Sequence, residues 1–154
     1  MIAVLELLRR APAFAALSDG DLGALGEAFR AAEYPAGHTF LREGERGETV
    51  FLVVQGEVVV LRAGAEINRM RPGQLFGLMA LVDGGPRSAT ARAADTVWVA
   101  KLSTADASTL AGGSPAVALA FQRAIARQLA RDFRHLDALL RQRLGDFGHR
   151  RVKG

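Results

Sequence analysis

The chain has 154 residues, of which 49% are hydrophobic and 23% are charged. These proportions are typical of a single globular domain that can bury its own core. The chain contains no cysteine, which excludes disulfides, thiol catalysis and thiolate metal sites. The formal net charge is +4, and nearly all the basic residues are arginines, many of them between Arg123 and Arg151.

The first eight residues are apolar apart from Glu6, but Arg9 and Arg10 follow at once and no basic segment precedes them. This arrangement is not that of a signal peptide. No stretch approaches the ~18 consecutive apolar residues of a membrane span. We therefore expect a cytoplasmic protein without a membrane span.

Residues 1–32 are predicted to form an N-terminal helical segment. A first short helix should break near Pro12, and a second should follow Ser18. Ser18 stands three residues before Asp21, a spacing similar to a helix capping box with Asp in the usual Glu or Gln position.

Residues 33–113 are predicted to form a β domain. Glycine recurs through this segment and separates short β-rich runs at 38–41, 50–54, 57–61, 67–70 and 96–102. Short strands punctuated by glycine turns favour a barrel or sandwich over a parallel sheet. The runs at 50–54 and 58–60 are continuously apolar, so these strands should be well buried.

Residues 114–145 are predicted to form one long helix, with Pro115 in its first turn. Apolar residues recur at spacings of three and four along one stripe: Phe121, Ile125, Leu129, Phe133, Leu136, Leu140 and Leu144. Such a rod is about 40 Å long and extends beyond a small barrel. We therefore expect a homodimer through residues 116–144, the alternative being a helix packed wholly on its own barrel. Residues 146–154 are predicted to be a flexible tail.

The segment from Gly77 to Ser88 has the chemistry of a small phosphate site. Gly77 opens a short apolar turn, and the free N–H groups of a first helical turn attract anions. A Gly-Gly-Pro turn then brings Arg87 to the start of a strand. The planar fork of arginine matches phosphate oxygens, and Ser88 adds a hydroxyl beside it.

This segment resembles the phosphate-binding cassette of cyclic nucleotide-binding domains. The similarity lies in Phe76-Gly77-Leu78-Met79-Ala80-Leu81 and, after a short linker, Pro86-Arg87-Ser88-Ala89-Thr90. The glycine-rich segment 43–58 is similar to the first strands of that family, and residues 7–14 to its N-terminal helix. The resemblance implies an α+β fold: an antiparallel β-roll (a double-stranded β-helix, jelly-roll-like) flanked by N-terminal helices and a long C-terminal lid or dimer helix.

The resemblance also implies the ligand and its contacts. Cyclic AMP or cyclic GMP would pair with Arg87 through its phosphate, and Ser88 and the backbone around Met79 and Ala80 would donate hydrogen bonds. Gly77 would allow close approach of the ribose, and Ala89 would complete the cassette. Asp132 and Phe133 on the C-terminal helix would lie near the base, and Phe133 would stack on it, the alternative being ordinary packing of Phe133. The helix would then transmit ligand binding as a bacterial regulatory signal.

The sequence departs from the family pattern at Leu78, where the family has a glutamate that accepts hydrogen bonds from the ribose 2′-hydroxyl. Leucine cannot accept, and a buried unpaired hydroxyl costs about 1–3 kcal/mol. Affinity should therefore fall by roughly one to two decades. The alternative function is a degenerate domain that binds no nucleotide and serves as a dimerisation or protein-docking module.

Other functions find less support in the residues. Family transcription regulators continue into a helix-turn-helix domain, which the roughly ten residues after Leu144 cannot form, so we do not expect DNA binding by that route. An arginine-rich helix can also bind nucleic acid, but acids interrupt the run and favour a solvated face. No catalytic constellation is visible, and the scattered histidines do not suggest a metal site. We expect no enzyme activity and no cofactor other than the nucleotide ligand.

Overall fold

The computed structural model describes the backbone of residues 2–152; the side chains of residues 2, 135, 136 and 146–152 lie outside the described part. Four α-helices, eight strands and one 3₁₀ turn follow each other along the chain. The elements are, in order, α1 (Ile2–Arg10), α2 (Asp19–Ala28), β1 (Arg30–Tyr34), β2 (Thr39–Leu41), β3 (Thr49–Gln55), β4 (Val58–Arg62), β5 (Ala65–Met70), β6 (Leu75–Phe76), the 3₁₀ turn (Leu78–Leu81), β7 (Thr90–Ala93), β8 (Val97–Ser103), α3 (Thr104–Gly113) and α4 (Pro115–Val152).

The strands form two four-stranded sheets in which every neighbouring pair is antiparallel. The first sheet has the order β1-β8-β3-β6 and the second the order β2-β7-β4-β5. Buried side chains of both sheets form one cluster, which is the interior of a β-roll. The predicted fold, an antiparallel β-roll flanked by helices and ending in a long helix, is confirmed.

Strand β3 shows why its sequence is continuously apolar. Side chains alternate between the two faces of a strand. Phe51 and Val53 point into the roll, whereas Val50 and Leu52 pack against the helices. Residues 50–53 are all 4% exposed or less, as expected of a strand buried on both faces. β3 thereby joins the two cores.

Two serine caps fix the helices against each other. The Ser18 hydroxyl accepts a hydrogen bond from the Asp21 amide at 3.2 Å, which confirms the predicted cap of α2. The Ser114 hydroxyl accepts from the Val117 amide at 3.3 Å and donates to the Asp21 carboxylate at 3.0 Å. The start of α4 is therefore tied to the start of α2, which sets how α4 crosses the roll.

Two elements differ from the predicted boundaries. Strand β1 begins at Arg30, inside the segment predicted to be helical up to residue 32. Its alanines favour a helix, but pairing with β8 overrides that local preference. Helix α3 lies inside the segment 33–113 that was predicted to be β. It is capped by Ser103, which accepts from the Asp106 amide at 3.0 Å.

Helix α4 has 38 residues and extends to Val152, beyond the predicted end at 145. A single glycine such as Gly145 costs a helix only about 1 kcal/mol and does not end it. The helix is about 57 Å long at 1.5 Å per residue, longer than predicted. Among the described residues, no helix combines the length and hydropathy that crossing a membrane requires.

Candidate functional site

The site begins at the turn that follows strand β6. Gly77 has a φ of +76°, in the left-handed region that favours glycine, and it caps the 3₁₀ turn. A Cβ at Gly77 would lie 3.0 Å from the Thr49 carbonyl oxygen and 3.1 Å from Nη1 of Arg87. Both the backbone conformation and the lack of space therefore require glycine here. The predicted helix after Gly77 is only this four-residue turn, and the Ala80 amide donates to the Gly77 carbonyl at 3.3 Å.

Arg87 is the central cation of the site, and it is only 9% exposed. Its Nη1 donates to the Gly77 carbonyl at 3.0 Å and its Nη2 to the Thr49 carbonyl at 2.9 Å. Its own backbone is held by the opposite loop, since the Arg87 amide donates to the Glu45 carbonyl at 2.8 Å and its carbonyl accepts from the Gly44 amide at 2.8 Å. The guanidinium is therefore fixed in position before any ligand binds.

The guanidinium of Arg87 lacks an acidic partner among the described residues. Its Nε is buried and has no hydrogen-bond acceptor. Burial lowers the pKa of the Arg87 guanidinium below its usual value, although arginine stays charged in proteins. A buried cation with an unused donor is costly unless an anion supplies the missing charge and acceptor.

Gly47 makes the burial of Arg87 possible. A Cβ at Gly47 would lie 2.5 Å from Nη2 and 2.8 Å from Nε of Arg87. The loop that contains Gly47 therefore covers the guanidinium as closely as a backbone can. The sequence analysis did not identify this contact, because the two residues are 40 positions apart.

A cavity of about 440 Å³ lies beside Arg87, a size common in small-molecule sites. All the predicted site residues except Phe133 line it: Gly77, Leu78, Met79, Ala80, Arg87, Ser88 and Ala89. Their convergence brings together the Gly77 turn and the loop that carries Arg87 into β7. The opposite wall comes from the β4–β5 hairpin and from α4.

Phe133 does not line the cavity, and its predicted contact with the ligand is not supported. It is 69% exposed on α4. Gln128, Leu129 and Asp132 of the same helix face the cavity instead. Phe133 shares a helix side with Leu129, four residues earlier, and lies one turn farther along α4.

The sequence analysis missed two polar groups of the cavity wall. Gln128 is 9% exposed, and its Nε2 donates to the Asp132 carboxylate at 3.1 Å. Arg62 of β4 donates from Nε to the Ser88 carbonyl at 3.1 Å and so holds the loop that carries Arg87 into β7. The four-residue spacing of Gln128 and Asp132 was a readable signal, since such pairs share one helix face.

Leu78 is 2% exposed and packs into the helical core, with one side in the cavity wall. The cavity stays open beside it. The residue that departs from the family pattern therefore shapes the pocket without filling it. No group of three or more metal-binding side chains occurs in the part of the chain that the structure describes.

The class that these features define is a β-roll domain with a buried arginine beside a cavity of small-molecule size, lined in part by a long C-terminal helix. The comparisons with known proteins identify the family. The sequence profile described as "Cyclic nucleotide-binding domain" matches residues 31–112. The chain belongs to the cyclic nucleotide-binding domain family, as the cassette resemblance indicated.

Similar proteins share this domain in different contexts. A cyclic nucleotide-gated potassium channel of Mesorhizobium japonicum is 40% identical over 118 residues, which are 77% of this chain and 33% of the channel. A CRP-like cAMP-activated global transcriptional regulator of Mycobacterium tuberculosis is 26% identical over 140 residues, 88% of this chain and 62% of the regulator. The chain thus spans about a third of the length of the channel that it matches.

A solved structure shares the fold over nearly the whole chain. The crystal structure of a cyclic nucleotide-binding domain from Methylobacillus flagellatus has a TM-score of 0.79 and 25% sequence identity. The match covers 92% of this chain and 83% of the other.

Proposed function

We propose that this domain binds a cyclic nucleotide, cAMP or cGMP, in the cavity beside Arg87 and signals its presence through α4. The observation that carries the proposal is the Arg87 guanidinium, which is buried, has no acidic partner among the described residues and keeps an unused Nε donor. A cyclic phosphate has one negative charge and two free oxygens. It would supply both the countercharge and the acceptor that the site lacks.

The surrounding residues have matching roles in this proposal. Gly77 gives the sugar-phosphate close access, the leading amides of the 3₁₀ turn and the Ser88 hydroxyl donate to the phosphate, and Met79 and Ala89 shape the walls. The Gln128–Asp132 pair faces the cavity from α4 and presents polar atoms to the base. Ligand binding would then favour one position of α4 over another, since a ligand shifts an equilibrium only by its difference in affinity for the two states.

Calorimetry with cAMP and cGMP tests the proposal. We expect binding by the wild type and a loss of about 100-fold or more in Arg87→Ala, because hydrogen bonds to a charged group contribute about 1.5–3 kcal/mol each. Arg87→Lys keeps the charge but not the fork and should bind with intermediate affinity. Arg92→Ala, on the exposed face of β7, is the control and should bind as the wild type does.

No binding by the folded wild type at about millimolar nucleotide, or equal binding by Arg87→Ala, would contradict nucleotide recognition. The first outcome would favour the second candidate, a degenerate domain that serves as a dimerisation or docking module. Leu78 motivates that alternative, because it removes the acceptor expected for the ribose hydroxyl.

Under either function we propose a homodimer through residues 116–144. The support is an exposed apolar stripe on α4, with Phe133 69%, Leu140 51% and Leu144 68% exposed. Helices commonly cover such a stripe with a second copy. Sedimentation should show a dimer in the wild type and a monomer in the double variant Leu140→Glu, Leu144→Glu; a monomeric wild type would contradict the dimer.

A further inference from the structure

A second cleft, of about 390 Å³, lies along another face of α4. Arg127, Arg131 and Arg134 line it, and their spacings of four and three residues place them on one helix face. All three side chains are exposed. We call this second cleft the arginine cleft, and the cavity beside Arg87 the nucleotide cavity, after its proposed ligand. Leu78 lines both, but the residues that α4 contributes to the two are different.

The acids of α4 that interrupt the arginine run in sequence do not neutralise these three arginines. Asp132 accepts from Gln128 and lines the nucleotide cavity. Asp137 pairs with Arg141 at 3.1 Å. Among the described side chains, no carboxylate lies within ion-pair distance of Arg127, Arg131 or Arg134. On this face of α4 the sequence predicted interleaved positive and negative charges, whereas the three arginines of the cleft form a row of positive charge.

The floor of the arginine cleft is apolar and concave. It is formed by Ala13 and Phe14 of the α1–α2 connection, by Leu75 and Leu78, and by Ala124 of α4. An apolar floor beside a cationic edge is complementary to a partner that has apolar side chains next to carboxylates. A nucleic acid backbone offers phosphates but no apolar ridge to fill such a floor.

We infer that the arginine cleft is a docking site for an acidic amphipathic helix of a partner protein. The arginines span eight residues of α4, and seven steps of 1.5 Å separate the first from the last by about 10 Å. Carboxylates at positions i, i+4 and i+7 of a second helix repeat at the same pitch and can face all three guanidiniums. Leucine or alanine side chains on the neighbouring face of that helix would fill the floor, as in other helix-in-groove complexes.

Fluorescence anisotropy with a labelled synthetic helix tests this docking. The probe is a peptide of about 18 residues with Glu at i, i+4 and i+7 and Leu on the adjacent face. The full chain should bind it, and Arg127→Glu, Arg131→Glu should weaken binding by about 100-fold, or tenfold per reversed charge. Arg92→Glu, an exposed arginine of β7 outside both the cleft and the proposed dimer segment, is the control and should leave binding within about twofold.

The charge-reversed protein gives the sharper measurement. A peptide with Lys at positions i and i+4, which face residues 127 and 131, and Glu kept at i+7, which faces Arg134, should bind the double variant and not the wild type, because only docking in this register restores opposite charges. Glutamate favours helix, so α4 should persist in the variant, and circular dichroism checks it. Arg87→Ala should bind the Glu peptide as the wild type does, which separates this docking from nucleotide binding.

Several outcomes would overturn the inference. One is no binding of the Glu peptide by the wild type at about 1 mM. Another is equal weakening by the Arg92→Glu control, which would indicate a general electrostatic attraction to the protein. A third is a DNA duplex that binds more tightly than the peptide and loses affinity steeply with salt, which would assign the arginines to nucleic acid.

Discussion

Arginines lie on two sides of Leu78, and their surroundings are opposite. Arg87 is 9% exposed and held by two backbone carbonyls, whereas Arg127, Arg131 and Arg134 are exposed side chains on one helix. A buried guanidinium with fixed geometry can recognise one small anion at close range. An exposed row keeps its rotamer freedom and suits a larger acidic surface, where each pair contributes little and several must act together. Burial, not residue type, therefore separates a ligand site from a docking surface.

The largest expected effect comes from truncating Leu78, which lines both the cavity beside Arg87 and the arginine cleft. Leu78→Ala should destabilise the fold by about 2–5 kcal/mol, because a fully buried leucine is replaced by a cavity. Urea denaturation measures the change. Val82→Ala, one turn away and 55% exposed, is the control and should stay within about 0.5 kcal/mol of the wild type.

If Leu78→Ala had the same free energy of unfolding as the wild type, the helices would not pack on this residue and Leu78 would not separate the two cavities. Leu78→Met, which nearly conserves volume, should cost less than about 1.5 kcal/mol. The contrast between these two variants isolates packing from chemistry.

A smaller effect is expected at Gly47, which affects only the buried arginine. Gly47→Ala should cost about 1–3 kcal/mol, since its methyl group would overlap the Arg87 guanidinium. Gly47 does not have a positive φ, so lack of space is the reason. Displacing Arg87 should also weaken cAMP binding about tenfold, measured by calorimetry, while peptide binding to the arginine cleft stays unchanged.

Gly23→Ala provides the matched control for Gly47→Ala. A Cβ at Gly23 meets nothing within 4 Å, and this residue lies inside α2. Alanine should stabilise the helix there by about 0.5–1 kcal/mol. Unchanged nucleotide affinity in Gly47→Ala would show that the guanidinium can move without loss, against the rigid geometry argued for Arg87.

The sequence predicted the roll and most of the cassette because the signals for both are local. The continuous apolar run of β3 requires burial on both faces, and Gly77, Arg87 and Ser88 lie close together along the chain. The cover of Arg87 by Gly47 was not predictable in this way, because the contact arises only when distant loops meet. On α4, Asp132 lines the cavity as predicted, whereas Phe133, one turn after Leu129, does not.

Prediction of secondary structure from the sequence failed at two elements, β1 and α3. Strand β1 carries alanines and becomes a strand only by pairing with β8. Helix α3 had a readable start, since Ser103 and Asp106 repeat the Ser18 and Asp21 spacing that correctly located α2. Because α3 follows directly on a β-rich run, the predicted β segment extends over it.

The smallest expected effect concerns the ribose, on the Leu78 side of the nucleotide cavity. Leucine offers no acceptor and leaves the buried hydroxyl unpaired, so 2′-deoxy-cAMP should bind the wild type about tenfold more tightly than cAMP. Leu78→Gln places an acceptor at this wall and should favour cAMP by about tenfold, measured by calorimetry with both nucleotides. A wild type that already prefers cAMP by that factor would require another acceptor for the hydroxyl. An unchanged ratio in a folded Leu78→Gln protein would mean that residue 78 faces the helical core alone, and then Leu78 would separate the two arginine sites without contacting either ligand.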